Sequence, residues 1–256
     1  MSKITLYVVT HKKIERKIPE RTVIGVGENK DIEGADLYDN TGDNISERNV
    51  FYCELTALYW IWKNDLSDII GLEHYRRQFY NNKVIMDKRT VQKLLEKNDV
   101  IVPNKCNLVQ SVYHNYAKEH FEQDLLITQK IISEKYPEYI DGFYQLKRTN
   151  KMYMCNMFIA KREFVDNYCK WLFDILFELE RNVDLSKRCN YQKRMFGFIS
   201  ERLFNVYLYH HRLDYRLKSI KIIGPDYENI TIQRFSLIRE VKYNVKKIIN
   251  YEKMYR

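Results

Sequence analysis

The side chains best suited to chemistry in this sequence form the block Glu73-His74-Tyr75-Arg76-Arg77, directly after an apolar run. So many polar groups at a strand end are costly to bury unless a ligand or a partner satisfies them. Arg76 and Arg77 suit a diphosphate, since arginine makes bidentate contacts with phosphate oxygens. Glu73 fits a base or a cation ligand, and His74 fits a group that orients a phosphate or a leaving group. The alternative is an ion-pair cluster that braces the next loop.

A second polar group lies at the start of a predicted helix, where Asp43 and Asn44 precede Ser46 and Glu54 follows. Either Asp43 or Asn44 can cap the helix through nearby backbone amides. A helix N-terminus that faces the ligand edge of a sheet also suits a nucleotide ribose or phosphate. Both interpretations remain open from the sequence.

A third group is His114, His120 and Asp124, spaced by six and four residues. The last two share one face of a helix, and the first does not quite join them. These side chains could bind a metal or form a wall against an acceptor. A surface histidine beside a satisfied helix pair is the common alternative.

Glu201 is an acidic residue on an otherwise aromatic helical stretch. It could serve as a base or as a ligand for an acceptor. Alternatively, Glu201 only pairs with Arg194, Arg202 or Asn205. The sequence does not separate these interpretations.

An α/β sheet is the scaffold that would bring these groups together, because ligands gather at the carboxyl ends of its strands. Apolar β-rich runs predict strands at 4–9, 68–72, 99–103 and 153–160. Helical periodicity predicts helices at 44–64, 90–98, 161–180 and 194–209, and a helix or a helix-turn-helix at 111–134. The irregular segment 14–49 is expected to be a long functional loop.

The chain of 256 residues is interpreted as one catalytic domain at 1–215 followed by a basic extension at 216–256. The net charge is +9, and the extension holds ten Lys and Arg against four Asp and Glu. Within it, 233–250 predicts a basic amphipathic helix. Such a helix can lie on an anionic membrane surface or pack against the catalytic domain. Since the positive charge is concentrated in the extension, no nucleic-acid partner is expected.

The expected location is the cytoplasm. No apolar run reaches the roughly 18–20 residues of a membrane span, and the N-terminus has no apolar signal-peptide region. The five cysteines follow no regular framework, which suits a reducing compartment.

Several blocks resemble a bacterial capsular-polysaccharide glycosyltransferase family long catalogued as a domain of unknown function. The resembling blocks are 43–47, 52–64, 71–77, 155–159, 168–173 and 194–203. The resemblance spans roughly residues 3–210. It implies a GT-A-like, Rossmann-related mixed sheet flanked by helices, with a helical basic C-terminal extension. It also implies a UDP-linked donor sugar, with galactose in pyranose or furanose form as a candidate.

The resemblance also implies roles for individual residues. Thr10, His11 and Lys12 would meet the nucleotide after the first strand, and the pocket would be lined by Asp43, Asn44 and Glu54. Glu73 and His74 would stand where other GT-A enzymes carry Asp-x-Asp, a motif missing here. A requirement for Mn²⁺ or Mg²⁺ therefore stays open. The expected acceptor-binding residues are His114, His120, Asp124 and Asn156.

The predicted function is transfer of a sugar to a lipid-linked glycan at the inner face of the membrane, during synthesis of a surface polysaccharide. Arg76 and Arg77 would stabilise the departing diphosphate, while Glu201, Glu73 or Asp124 would deprotonate the acceptor. Substitution of Arg76 by alanine or Glu73 by glutamine is expected to abolish turnover with little loss of folding. The alternatives are a non-catalytic RNA-binding module and a nucleotide-sugar hydrolase on the same fold.

Overall fold

Apolar, β-branched runs form one large mixed sheet in the computed structural model, which describes residues 2–15, 17–27, 31–81 and 84–223. Such residues pack well on a pleated, half-buried surface. The strands of this large sheet are β1 (Ile4–Thr10), β2 (Thr22–Gly25), β3 (Leu37–Tyr38), β4 (Ile69–His74), β5 (Gln78–Asn81), β6 (Val84–Ile85), β7 (Val100–Pro103), β10 (Phe158–Lys161) and β11 (Leu217–Ile223). Two further strands, β8 (Cys106–Asn107) and β9 (Lys151–Met152), pair with each other in a separate sheet. Within the described ranges, the order of the large sheet is β3-β2-β1-β4-β10-β7-β11-β5-β6.

The centre of the sheet places three chain segments at one edge. Strand β1 runs parallel to both β2 and β4, with Val9 opposite His74. Strand β10 is antiparallel to β4, with Phe158 opposite Leu72. The carboxyl ends of β1 and β4 therefore lie beside the amino end of β10.

Helices cover the sheet and supply the rest of the site. Two of them begin at side-chain caps, because Asp87 accepts the Thr90 N–H and Ser111 accepts the His114 N–H. The helices are α1 (Asn49–Tyr52), α2 (Leu55–Asn64), α3 (Lys88–Leu95), α4 (Val112–Glu119), α5 (Glu122–Lys135), α6 (Ile140–Arg148), α7 (Arg162–Arg181), α8 (Asn190–Lys193) and α9 (Met195–His210), with 3-10 turns at Ser46–Arg48 and Pro137–Tyr139. None of the helices in the described ranges combines the length and the apolar character that a membrane span requires.

The two faces of the sheet pack into different apolar cores. In β4, Ile70 and Leu72 belong to the larger core, which most of the helices help to form. Ile69 faces the smaller core, where Val91 and Leu95 of α3 pack. Since side chains of a strand alternate between faces, His74 points to the larger helical side and Glu73 to the smaller side.

The prediction of a mixed α/β sheet flanked by helices is confirmed. The predicted helix at 44–64 is interrupted at Cys53, whose φ of 54° is outside the helical region, so α1 and α2 are separate. At 111–134, the helix-turn-helix alternative is confirmed, because α4 and α5 are two separate helices. The segment 14–49 is not only a loop, because β2 and β3 extend the sheet beside β1.

The predicted domain boundary after residue 215 is too early. Strand β11 pairs with β7 and β5, so residues 217–223 belong to the sheet and not to a separate helical extension. Parallel pairing with β7 satisfies backbone groups that a detached tail would leave to water. The predicted amphipathic helix at 233–250 lies outside the described residues.

Candidate active site

A cavity of about 870 Å³ opens at the carboxyl ends of β1 and β4 and is closed on its far side by α4, α8 and α9. Its position agrees with the rule that ligands of α/β sheets bind beyond the carboxyl ends of strands. The predicted site residues that line it are Thr10, His11, Lys12, Glu54, His74, Arg76, Arg77, His120 and Glu201. The chain folds so that groups more than 190 residues apart share one space.

The turn after β1 holds the first of these groups. The buried Thr10 hydroxyl bonds both the carbonyl and the N–H of Lys12, which fixes the path of the chain as it leaves the sheet. The His11 ring packs edge-on against Tyr75, with ring centroids 5.5 Å apart. Residues from the ends of two neighbouring strands are thereby held together.

His74 is fixed in one tautomer at the end of β4. Its Nε2 lies 2.6 Å from the carbonyl oxygen of Cys155. Burial lowers the pKa of His74, against the opposing influence of Glu54, so the ring is neutral at neutral pH. Because a carbonyl oxygen only accepts, Nε2 carries the hydrogen and Nδ1 is the basic atom.

The turn Cys155-Asn156 before β10 connects two carboxylates of the cavity, Glu54 and Glu201. The two residues have φ values of 76° and 48°, a left-handed conformation that non-glycine residues adopt at a cost. The Cys155 N–H donates to Glu201 Oε1 at 2.8 Å, and Asn156 Nδ2 donates to Glu54 Oε1 at 2.8 Å. Asn156 is buried and contacts Glu54 rather than lining the cavity, which corrects its predicted contact with an acceptor.

Glu201 combines a ligand-facing position with a raised proton affinity. Its side chain is 14% exposed, and Oε2 accepts from Arg202 Nη1 at 3.1 Å. Burial raises the pKa of Glu201 above its usual value, although Arg202 acts in the opposite direction. The predicted pairing with Arg202 is present, and it coexists with a position in the cavity.

Positive charge is concentrated where the strands end. Arg77 Nη1 lies 3.4 Å from the Cys155 sulfur, and Arg194 Nε lies 3.2 Å from the Cys53 sulfur. Burial lowers the pKa of His11, and the charges of Lys12, Arg194 and Arg76 lower it further, so these cations share one region. The cavity can therefore bind an anionic group on this side.

Glu73 does not reach the cavity. Its carboxylate is fully buried on the opposite face of β4, where it accepts from Arg21 Nε at 2.7 Å and Nη2 at 3.1 Å. It also accepts the Phe79 N–H at 2.8 Å. For Glu73, the ion-pair interpretation is correct, because strand alternation sends neighbouring side chains to opposite faces.

Asp43 and Asn44 stabilise local structure beside α2 and do not line the cavity. Asn44 Oδ1 accepts the Ser46 N–H at 3.2 Å, and Asp43 Oδ1 accepts from the Tyr59 hydroxyl at 3.1 Å. Their predicted contact with the donor is therefore not supported by their placement. The capping interpretation is not confirmed either, because no side chain caps the 3-10 turn at Ser46–Arg48, α1 or α2. Asn44 bonds within its own turn, and Asp43 bonds a residue inside α2.

The predicted group of His114, His120 and Asp124 is not brought together. His120 lines the cavity, whereas His114 lines a separate shallow depression and bonds Ser111. Asp124 is buried in an ion pair with Arg188, with Arg188 Nη2 2.6 Å from Oδ1. Asp124 is thus a structural group and no longer a candidate base.

Sequence reasoning did not assign several residues that line the cavity: Asn49, Asn115, Tyr191, Arg194, Phe198 and Arg202. The spacing of Arg194, Phe198 and Glu201 by four and three residues was the available signal, because it predicts one face of a helix. The aromatic composition of α9 obscured this face, since most of its other residues are buried in the core.

The cavity was also compared with what a metal site made only of protein side chains would need. Among the residues that the structure describes, no group of three or more His, Cys, Asp or Glu side chains is arranged to hold an ion. The carboxylates of Glu54 and Glu201 are instead bound by the Cys155-Asn156 turn and by Arg202.

The fold and the cavity define a glycosyltransferase-like α/β protein. The chain belongs to the family described as Domain of unknown function (DUF4422), which matches residues 5–212. No curated protein matches the sequence. The apo structure of WbbM, a bifunctional glycosyltransferase, is similar to this one with a TM-score of 0.78 and 27% sequence identity. The similarity covers 87% of this chain and 45% of the WbbM chain, so this chain spans less than half the length of that relative.

Proposed function

We propose that this chain is a glycosyltransferase that transfers a sugar from a nucleotide-diphosphate donor to a hydroxyl group of a glycan. The observation that carries the proposal is one cavity that has cations at the strand ends and a carboxylate of raised pKa on α9. The similarity to a bifunctional glycosyltransferase supports the same class of reaction. A diphosphate leaving group and an acceptor hydroxyl are the two partners that such a cavity suits.

The first task of the site is to stabilise the leaving diphosphate. As the bond between the anomeric carbon and the phosphate oxygen breaks, its electron pair stays with the diphosphate and the sugar becomes oxocarbenium-like. Arg76, Arg77 and Arg194 line the region where that charge would develop. Fixed guanidinium groups stabilise it without reorganisation at the moment of reaction.

The second task is to remove a proton from the acceptor. In the proposed mechanism, the acceptor oxygen forms the new bond to the anomeric carbon and its proton passes to Glu201. A raised pKa suits this role, because a base works best when its pKa approaches the working pH. Glu54 and neutral His74 lie nearby and would position the reacting groups.

The arginines are proposed to replace the divalent cation of Asp-x-Asp enzymes. What supports this is that the described residues offer no group of three or more His, Cys, Asp or Glu side chains to hold a metal, whereas Arg76, Arg77 and Arg194 line the cavity. Mn²⁺ and Mg²⁺ are accordingly expected to be dispensable. Turnover measured after dialysis against EDTA should stay within about twofold of untreated enzyme, and a complete loss that Mn²⁺ restores would contradict this part of the proposal.

The finer features of the function follow from the sequence resemblance. The proposed donor is a UDP-sugar, with UDP-galactopyranose and UDP-galactofuranose as first candidates. The proposed acceptor is a lipid-linked oligosaccharide of a capsular or other surface polysaccharide, used at the cytoplasmic face of the membrane. The basic segment 233–250 is proposed to bring the enzyme to that surface through anionic lipids.

A test of the proposed function starts with UDP binding to the full chain. Isothermal titration with UDP should show binding, and incubation with UDP-galactopyranose or UDP-galactofuranose and a glycan library should release UDP and extend a glycan. Absence of both UDP binding and UDP release would overturn the proposal. UDP release that no acceptor accelerates would indicate the alternative hydrolase.

The proposed membrane association is tested in a separate vesicle-binding experiment. Binding of the full chain to vesicles of phosphatidylglycerol and phosphatidylcholine is compared with binding of a variant in which four of the five basic residues of 233–250, Arg239, Lys242, Lys246 and Lys247, become glutamine. The substitution should weaken binding to anionic vesicles only. Equal binding of both proteins would remove the membrane part of the proposal.

A further inference from the structure

Three rings form a continuous surface on the helical side of the cavity. The His120 and Phe198 rings are stacked with centroids 4.2 Å apart and an interplanar angle of 20°. Tyr191 joins them, with its centroid 5.7 Å from His120 and 5.2 Å from Phe198. All three residues line the cavity, and we refer to them as the aromatic wall.

The aromatic wall is accessible and uncharged. Tyr191 is 53% exposed although it is a large aromatic residue that lines a cavity. Burial lowers the pKa of His120 to about 4, while the hydrogen bond that His120 donates to Gln192 acts in the opposite direction, so its ring is neutral at neutral pH. An exposed aromatic surface inside a polar cavity is typical of a binding site, since an isolated protein gains nothing by leaving it uncovered.

The hydrogen bonds of His120 also leave it with a defined polar atom. Its Nδ1 lies 3.0 Å from Gln192 Oε1, while Gln192 Nε2 donates to the Glu119 carbonyl at 2.9 Å and so fixes the amide orientation. Because the Gln192 oxygen only accepts, His120 Nδ1 donates. Nε2 is then an acceptor, suited to a ligand hydroxyl.

We infer that the aromatic wall is the subsite for the acceptor, where the apolar C–H face of a pyranose ring stacks on Tyr191 and Phe198. This inference rests on the proposed function and adds the location and chemistry of the acceptor. Sugar rings present weakly positive C–H edges, which favour the negative face of an aromatic ring. Asn115 and Glu119 of α4 line the same side of the cavity and supply polar groups for ring hydroxyls.

The position of the base assigns the wall to the acceptor and not to the nucleotide. Phe198 and Glu201 are three residues apart on α9, so they lie on adjacent turns of one face. The acceptor hydroxyl must meet the base, and a sugar stacked on Phe198 is placed one turn from Glu201. The diphosphate is drawn to Arg76 and Arg77 after β4 and to Arg194, whose guanidinium carbon lies 5.7 Å from the centre of the Phe198 ring, so the leaving group would lie beside a sugar on the wall.

The experiment measures sugar and nucleotide binding separately on the full chain. Saturation-transfer NMR detects methyl β-D-galactopyranoside and methyl β-D-glucopyranoside in the presence of saturating UDP, and calorimetry measures UDP alone. Tyr191→Ala should weaken sugar binding about five- to tenfold, the range expected for one aromatic stacking contact, and leave UDP affinity unchanged. Tyr191→Phe should retain sugar binding, since the ring face remains.

Tyr144→Ala serves as the matched control, because Tyr144 is also exposed but lies on α6 and does not line the cavity. It should change neither affinity. Three results would overturn the inference: no sugar signal with wild-type protein that binds UDP, unchanged sugar binding in Tyr191→Ala, or a loss of UDP affinity in that variant. The last result would assign the wall to the nucleobase. Sugar binding by a protein that does not bind UDP would instead defeat the proposed function and leave the subsite in place.

Discussion

Asn156 donates a 2.8 Å hydrogen bond from Nδ2 to Glu54 Oε1, across 102 residues of sequence. The preceding residue, Cys155, donates its N–H to Glu201, and its carbonyl accepts from His74. A single strained turn therefore orients three ionisable groups that come from a strand and two helical segments. Backbone strain of this kind persists only where the surrounding structure holds it in place. In this protein, the strained turn fixes the positions of the three groups in and beside the cavity.

The bond between Asn156 and Glu54 predicts a loss of activity in Asn156→Ala. A hydrogen bond to a charged group contributes about 1.5–3 kcal/mol, so kcat is expected to fall about 10- to 100-fold if Glu54 must be held in place. The measurement is UDP release under saturating donor. UDP affinity should change little, because the cations that bind the diphosphate are not altered.

Asn156→Gly is the matched control for backbone strain. Glycine adopts a φ of 48° without a steric cost, whereas alanine does not. The glycine variant should lose as much activity as the alanine variant while keeping more thermal stability. Full activity in Asn156→Gly would show that the side-chain bond to Glu54 has no catalytic importance.

The raised pKa of Glu201 predicts the shape of the pH profile. A base must be ionised, so kcat/KM should increase as the pH rises through the pKa of Glu201, with a midpoint above the usual value for a glutamate. Glu201→Gln should lower kcat by about 10²-fold or more, because a positioned general base commonly contributes a factor of this size. If the residual kcat/KM of Glu201→Gln still rises with pH through the same midpoint, the group that titrates in the wild-type profile is not Glu201.

Thermal stability gives a second measure of the same group. A carboxyl whose pKa is higher in the folded state binds its proton more tightly there, so stability is lost as the pH rises from the ordinary pKa of a glutamate through the raised pKa of Glu201. Because Glu201→Gln removes this ionisation and also the ion pair with buried Arg202, the informative quantity is the pH dependence. The melting temperature of the wild type should fall relative to that of Glu201→Gln as the pH rises from below the ordinary pKa of a glutamate to pH 7, and a difference that does not change with pH would contradict the raised pKa.

Arg194 is predicted to contribute to binding of the diphosphate. Arg194→Ala should weaken UDP binding about 10- to 100-fold, because it removes charge-assisted hydrogen bonds to phosphate. Arg212→Ala removes an exposed arginine that packs over Tyr209 outside the cavity, and it should leave UDP affinity unchanged. Calorimetric titration of UDP into both variants checks the prediction. Equal affinities would exclude Arg194 from the donor site.

Glu73 is expected to act on stability and not on turnover. Glu73→Gln leaves Arg21 charged and buried beside a neutral amide, which costs about 3–5 kcal/mol when one partner of a buried pair is removed. The exposed pair of Lys130 and Glu134 supplies the control, because Glu134→Gln should cost no more than about 0.5 kcal/mol. Urea unfolding measures both free energies.

Activity per folded molecule distinguishes this role from a catalytic one. The Glu73→Gln protein that remains folded should release UDP at a rate within about twofold of the wild type, since the side chain lies on the face of β4 away from the cavity. This replaces the expectation from sequence that the substitution would abolish turnover with little loss of folding. A stable but inactive variant would restore Glu73 as a candidate catalytic group.

The sequence by itself determined the class of fold and the neighbourhood of the cavity. The apolar runs of β1 and β4 and the polar residues after them are local features, and local patterns decide where strands end. His11, His74, Arg76 and Arg77, which follow these two strands, accordingly line one cavity, and their roles there stay predictions. Sequence could not show that β11 completes the sheet, because pairing with β7 and β5 joins segments more than 100 residues apart.

Only the tertiary structure decided which polar residue faces the cavity and which is structural. Glu73 and His74 are adjacent in the chain, yet the pleat of β4 sends one into a buried pair with Arg21 and the other toward Cys155. The same applies to Asp124, which was predicted beside His120 but is bound by Arg188. Residue type and spacing define what a side chain can do, and packing against distant segments determines what it meets.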